Sequence, residues 1–127
     1  MTRLEALTEL RDKVAAGENL FGADCMIAPL MNWPAYTEHS IWKASHGSLD
    51  AAKALHEAVL PDAPAQLTDM RPYRGSGGWL VSINWNKDKH QAGDADLARA
   101  WLLAIIRTLL QDPSILASAD EIEKGKG

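Results

Sequence analysis

Few residues in this 127-residue chain lend themselves to chemistry, and each shortage excludes something. There is one cysteine, Cys25. No intramolecular disulfide can form, so the thiol reads as a small buried hydrophobe in a reducing compartment. The longest apolar run, Ala100 to Ile106, is far short of the roughly 20 residues that span a bilayer. The opening MTRLEALTEL scatters charges where a secretory leader would carry an apolar core. A cytoplasmic protein without membrane contact is the expectation. Basic residues are short as well: 13 Lys and Arg against 17 Asp and Glu give a net charge of −4. That balance argues against a general nucleic-acid binder. The four histidines, His39, His46, His56 and His90, form no i,i+4 pair with one another, and no Cys-x-x-Cys or His-Glu-x-x-His spacing occurs. Neither a metal nor a cofactor is expected.

What is present is the composition of an ordinary globular protein, 46% apolar and 24% charged, in a chain long enough to bury a core. One domain over 1–127 is expected, with a frayed, charged tail from about residue 119. Leu4, Leu7, Leu10 and Val14 recur at helical spacing. Thr2 and Glu5 form a capping-box pattern and Gly17 supplies a stop, which predicts a helix over 3–16. Leu49, Ala52, Leu55 and Val59 mark a second apolar stripe ending at Pro61. QLTDMRPY and WLVSINWN read as strands flanking RGSGG, with Trp79, Val81, Ile83 and Trp85 on the buried face of the second. Asn86 to Lys89 is a turn candidate, and a short third strand follows through Ala92. A helix from about Ala95 to Leu110, capped by Asp94, is the last strong element, with a weaker one after Asp112-Pro113. The fold class expected is α+β, a small antiparallel sheet of two or three strands with helices packed on it.

The segment 18–46 resists this reading. It holds Pro29 and Pro34, has no clean period, and carries Phe21, Met26, Ile27, Leu30, Met31, Trp33 and Trp42. A long irregular segment so rich in large side chains must pack on something or cover something. One short helical turn, around Tyr36–Lys43, is expected within it. Trp33, Tyr36 and Trp42 are candidates for a binding surface.

The remaining motifs each have a structural explanation. His46, Ser48 and Asp50 hold the residue types of a hydrolytic triad. Packed into one helix start, they cannot reach the required mutual geometry. Ser48 is better placed as an N-cap, and Asp50 complements the first-turn dipole. No catalytic residue is assigned, and an enzyme is the less favoured class. RGSGGW precedes a strand and lacks the Lys-Ser/Thr of a phosphate loop, so it reads as a hairpin turn. Arg71 and Arg74 beside it remain candidates for contact with an anion. The helix near 95–110 is apolar on more than one side, with only Arg99, Ala100 and Arg107 on a polar strip. Leu103, Ile106 and Leu110 therefore need a second cover. Segment 18–46, the weak helix bearing Ile115, Leu116 and Ile122, or a second copy could supply it; a two-fold homodimer through Leu103, Ile106 and Leu110 is the expectation.

The order of elements resembles a known family. A leucine-rich first helix leads to PAYTEHS and SLDAAKALHEAVLP, and a Gly-Trp strand leads to LARAWLLAIIRTLL. The chain is similar over about residues 4–110 to the phage α-β-α sandwich domain family. Tyr36, Thr37, Ser48, Leu49, Asp50, Ala51, Ala52, Trp79, Leu97, Ala98 and Ala100 carry the likeness. The resemblance implies a bacteriophage or prophage accessory protein in a bacterial host, and it brings no established activity and no catalytic residues. It points to a non-catalytic binding or inhibitory module toward a host or phage protein. The alternative is a small-molecule or anion binder, or an enzyme, with a pocket near Arg71, Arg74 and the 18–46 aromatics.

Overall fold

The computed structural model describes residues 2–18, 20, 25–70, 78–85 and 87–116. Helix α1 (Arg3–Ala15) starts on the expected capping box: Thr2 Oγ1 accepts from Glu5 N at 3.1 Å, and Glu5 Oε1 accepts from Thr2 N at 3.3 Å. The bonds from the Thr2 backbone and side chain hold the exposed Glu5 carboxyl below its ordinary value. Leu7, Leu10 and Val14 turn inward.

The segment after α1 is more helical than its sequence suggested. It forms a single turn, α2 (Ala28–Met31), and a ten-residue helix, α3 (Tyr36–Ser45). Ala35 occupies the N-cap of α3 without a side-chain bond. The start is fixed instead by Pro34, whose carbonyl accepts from Thr37 N at 3.0 Å and from Thr37 Oγ1 at 2.7 Å. Helix α4 (Leu49–Val59) follows the turn at Gly47, and Ser48 Oγ accepts from Ala51 N at 3.3 Å as an N-cap should.

Three strands form one antiparallel sheet in the order β1 (Ala65–Asp69), β2 (Trp79–Trp85), β3 (Asp88–Asp94). The chain is thus α+β, as its patterning predicted. Pairing of Trp85 with Asp88 leaves a two-residue connection, with Lys87 at φ 69°. Asp88 and Lys89 therefore belong to β3 and not to the turn. Val81 and Ile83 are fully buried on the expected face, with Trp79 and Trp85 half-buried against the core. Ser82, on the opposite face, is also covered: its cross-strand partner Gln91 donates Nε2 to Ser82 Oγ at 3.1 Å.

Helix α5 (Leu97–Leu110) is the centre of the molecule. It packs on β2 and β3 on one side and on α1, α3 and α4 on others, while the last turn, α6 (Pro113–Leu116), also touches it. Its N-cap is Asp96, whose Oδ1 accepts from Arg99 N at 3.1 Å. Asp94, expected in that role, ends β3 and accepts from Asp96 N at 2.9 Å.

The excess of apolar surface on α5 is met within the chain. Leu103 and Ile106 are 3% and 2% exposed, and Leu110 is half-buried against the same core. Leu103 and Ile106 thus present no surface to a second copy, and the candidate interface there is corrected to core.

The polar strip needs correction too. Arg107 is exposed, but Ala100 and Arg99 are buried. The Arg99 guanidinium donates to Ser45 O at 2.6 Å, Val14 O at 3.1 Å and Glu18 O at 3.1 Å, with Asp94 Oδ1 4.0 Å away. A cation among the carbonyls that end α1 and α3 satisfies acceptors that helix geometry leaves orphaned. None of the described helices is long and apolar enough to cross a membrane.

Candidate functional site

Helix α3 turns its residues the unexpected way round. Its buried positions are Thr37, Ser40, Ile41, Ala44 and Ser45, a helical stripe made mostly of small residues. Small side chains let neighbouring helices approach closely, and the bulky residues go outward. Tyr36 is 56% exposed and Trp42 37% exposed, and Met26, just before α2, is 72% exposed.

Trp42 is held in place at this surface. His39 stacks on it with centroids 5.8 Å apart at 22°, and His46 leans against it at 5.0 Å and 47°. His46 is itself tethered, its Nε2 donating to Leu20 O at 3.1 Å. The indole N–H of Trp42 donates to no group among the described residues, whereas the indoles of Trp85 and Trp101 bond Asp112 Oδ2 at 2.7 Å and His56 Nδ1 at 3.0 Å. Beside Trp42 lies a cavity of about 470 Å³ lined by Cys25, Ala35, Glu38, His39 and Trp42. Cys25 is buried in its wall. The Glu38 carboxylate is already engaged, its Oε2 accepting from Ala28 N at 3.0 Å.

The sequence candidates part company here. Tyr36 and Trp42 lie on the outer side of one helix, while Trp33 is half-buried against the core and contributes packing. Arg71 and Arg74 lie outside the described residues. A separate cavity of about 390 Å³ is lined by Met70, Gly78, Trp79, Leu80, Gly93, Asp94 and Ala95. The pocket expected near Arg71 and Arg74 falls outside the described residues, and this cavity shares no lining residue with the one at Trp42. Its narrow floor fixes Gly78: an added Cβ would sit 2.5 Å from Ala95 Cα and closer still to the Asp94 carbonyl oxygen.

His46, Ser48 and Asp50 are not assembled for catalysis. Ser48 caps α4, His46 serves Trp42 and Leu20, and Asp50 is exposed in the first turn of α4. His56 is structural: it accepts from Trp101 at Nδ1, so Nε2 carries the proton given to Ala63 O. Among the described residues no group of three or more His, Cys, Asp or Glu is placed to hold a metal ion.

Sequence reading missed His39 and His46 as neighbours of Trp42. The signal was present as His39-x-x-Trp42-x-x-x-His46, an i, i+3, i+7 row, but it has meaning only once α3 is known to be helical throughout. In comparisons with known proteins, no family model, no curated protein and no solved structure matches the chain.

Proposed function

We propose that this protein is a non-catalytic binding module of the phage or prophage accessory type, engaging a host protein through the outer face of α3. The observation that carries the reading is the outer face of this helix: Tyr36 and Trp42 stand outward while Thr37, Ser40, Ile41, Ala44 and Ser45, mostly small residues, are buried. Exposed aromatic anchors gain nothing for the fold by facing water, but they supply most of the free energy of a protein interface when a partner desolvates them. The clamp of His39 and His46 on Trp42 restrains the indole before contact, which lowers the entropy lost on binding. The unused indole N–H offers a directional bond to an acceptor on the partner.

The test is affinity capture from bacterial lysate with the wild type, with Tyr36→Ala/Trp42→Ala, and with Glu57→Ala on exposed α4 surface as control. A partner retained by the wild type and the control but lost by the double variant supports the reading. Reconstituted from purified proteins, that pair should lose about 2 kcal/mol or more on Trp42→Ala, roughly thirtyfold in Kd. A partner that binds the double variant as tightly as the wild type overturns it.

A further inference from the structure

We infer that the protein carries an anion site, formed by Arg11, Lys89, His90 and Arg107, that takes the phosphates of a small organic diphosphate. These residues come from three elements, α1, β3 and α5, and line one cavity of about 450 Å³ together with Gln91 and Leu110. None of its lining residues is acidic. In a chain with net charge −4, that convergence of like charge runs against the average surface and has an electrostatic cost unless an anion fills it.

The donors are set for a ligand. Arg107 is aimed by one bond, its Nη1 donating to Gln91 O at 3.0 Å, and its Nε and Nη2 bond no group among the described residues. Arg11 gives Nε and Nη2 to Asp12 Oδ1 at 3.2 and 3.0 Å and keeps Nη1. That pair is solvent-exposed, with the Asp12 side chain 65% accessible, so the carboxylate is well screened and neutralises Arg11 only in part. The Lys89 ammonium and the ring nitrogens of His90 have no hydrogen-bond or ion-pair partner among the described residues.

The guanidinium groups of Arg11 and Arg107, with His90 on the buried face of the edge strand β3 and Lys89 on its other face, suit a group with several charged oxygens that can reach round the sheet edge, which a phosphate chain offers and a single carboxylate does not. The volume lies in the range of small-molecule sites, larger than one phosphate needs, and Leu110 gives an apolar wall for an organic body. The site shares no residue with the outer face of α3, so the two readings stand or fall separately.

The experiment is calorimetric titration of the purified protein with ADP, with inorganic pyrophosphate, with citrate as an anion of similar charge, and with a short single-stranded oligonucleotide. ADP should bind at least as tightly as pyrophosphate, and citrate about tenfold or more weakly. Affinity should fall as salt rises. Lys89→Gln and Arg107→Gln should each weaken ADP about tenfold or more, and Arg107→Lys, which keeps the charge and loses the fork, should also weaken it. Arg11→Gln, on the exposed surface of α1, provides a third variant should a change at Arg107 disturb the edge of β3; amide spectra verify that each variant folds. Absence of ADP binding, binding unchanged in the Lys89 and Arg11 variants, or citrate binding as tightly as ADP overturns the proposal. So does an oligonucleotide that binds more tightly than ADP and is lost in the same variants.

Discussion

Helices α3 and α5 touch, each carries a tryptophan, and they dispose of their large side chains in opposite ways. In α5 nearly every face is covered: Leu102, Leu103, Ile105, Ile106 and Leu109 are buried, and Trp101 ties its indole N–H to His56. In α3 the core side is Thr37, Ser40, Ile41, Ala44 and Ser45, and Trp42 stands outside, its N–H bonding no group among the described residues. A core helix buries bulk because bulk is what the hydrophobic effect rewards. A helix that buries its small residues and presents its aromatics is positioned close to the core by the former and addressed outward by the latter.

The largest effect expected from breaking this contrast falls on α5. Ile106→Glu places an unpaired carboxylate at a site 2% exposed. The cost should exceed about 4 kcal/mol and abolish the cooperative thermal transition followed by circular dichroism. Arg99→Met comes next, because it joins the two helices: it removes the donor to Ser45 O at the end of α3 and to Val14 O at the end of α1. Stranding these carbonyls and that of Glu18 should cost about 3 kcal/mol in denaturant titration. A loss below about 1 kcal/mol would mean that water replaces the guanidinium freely.

Smaller effects test α3 itself. Ser40→Leu would give it a conventional apolar stripe, yet the buried position leaves no room, and the melting temperature should fall with a loss of about 1 to 3 kcal/mol. Stabilisation instead would show that the inner face is not closely packed. Tyr36→Ser removes an aromatic that is 56% exposed and should change stability by no more than about 1 kcal/mol. A loss equal to that of Arg99→Met would make the outer face core and end its candidacy as a recognition surface.

The contrast also separates what could be read in the sequence from what could not. The capping box at Thr2, the N-cap at Ser48 and the alternation from Trp79 to Trp85 are local, and each led to the right element. The multi-sided burial of α5 followed from its composition. Its cover did not, because the choice between the chain's own helices and a second copy is made by residues far away in sequence. Helix α3 was legible as a short turn around 36–43, but its inward face was not, for a physical reason: its buried stripe is mostly small and polar, and its cap, Ala35, uses no side chain. Arg99 was taken for a surface cation because nothing local announces three carbonyl acceptors 54 to 85 residues away. At the site, Tyr36 and Trp42 were legible as aromatics in need of a role, while the cavity of Arg11, Lys89, His90 and Arg107 draws on three elements and leaves no linear pattern.

The central place of α5 has a consequence for how the chain folds. It lies after α1 to α4 and all three strands in sequence, yet it packs on α1, α3, α4, β2 and β3. During synthesis those surfaces emerge first and wait, with the carbonyls that Arg99 will bond still hydrated. Closure of the core is thereby tied to the emergence of residues 97–110, a high-contact-order step that local helix formation cannot hasten. Until then the nascent chain exposes Val81, Ile83 and Leu55 to whatever lies near the ribosome, and the interval is set by the rate of translation.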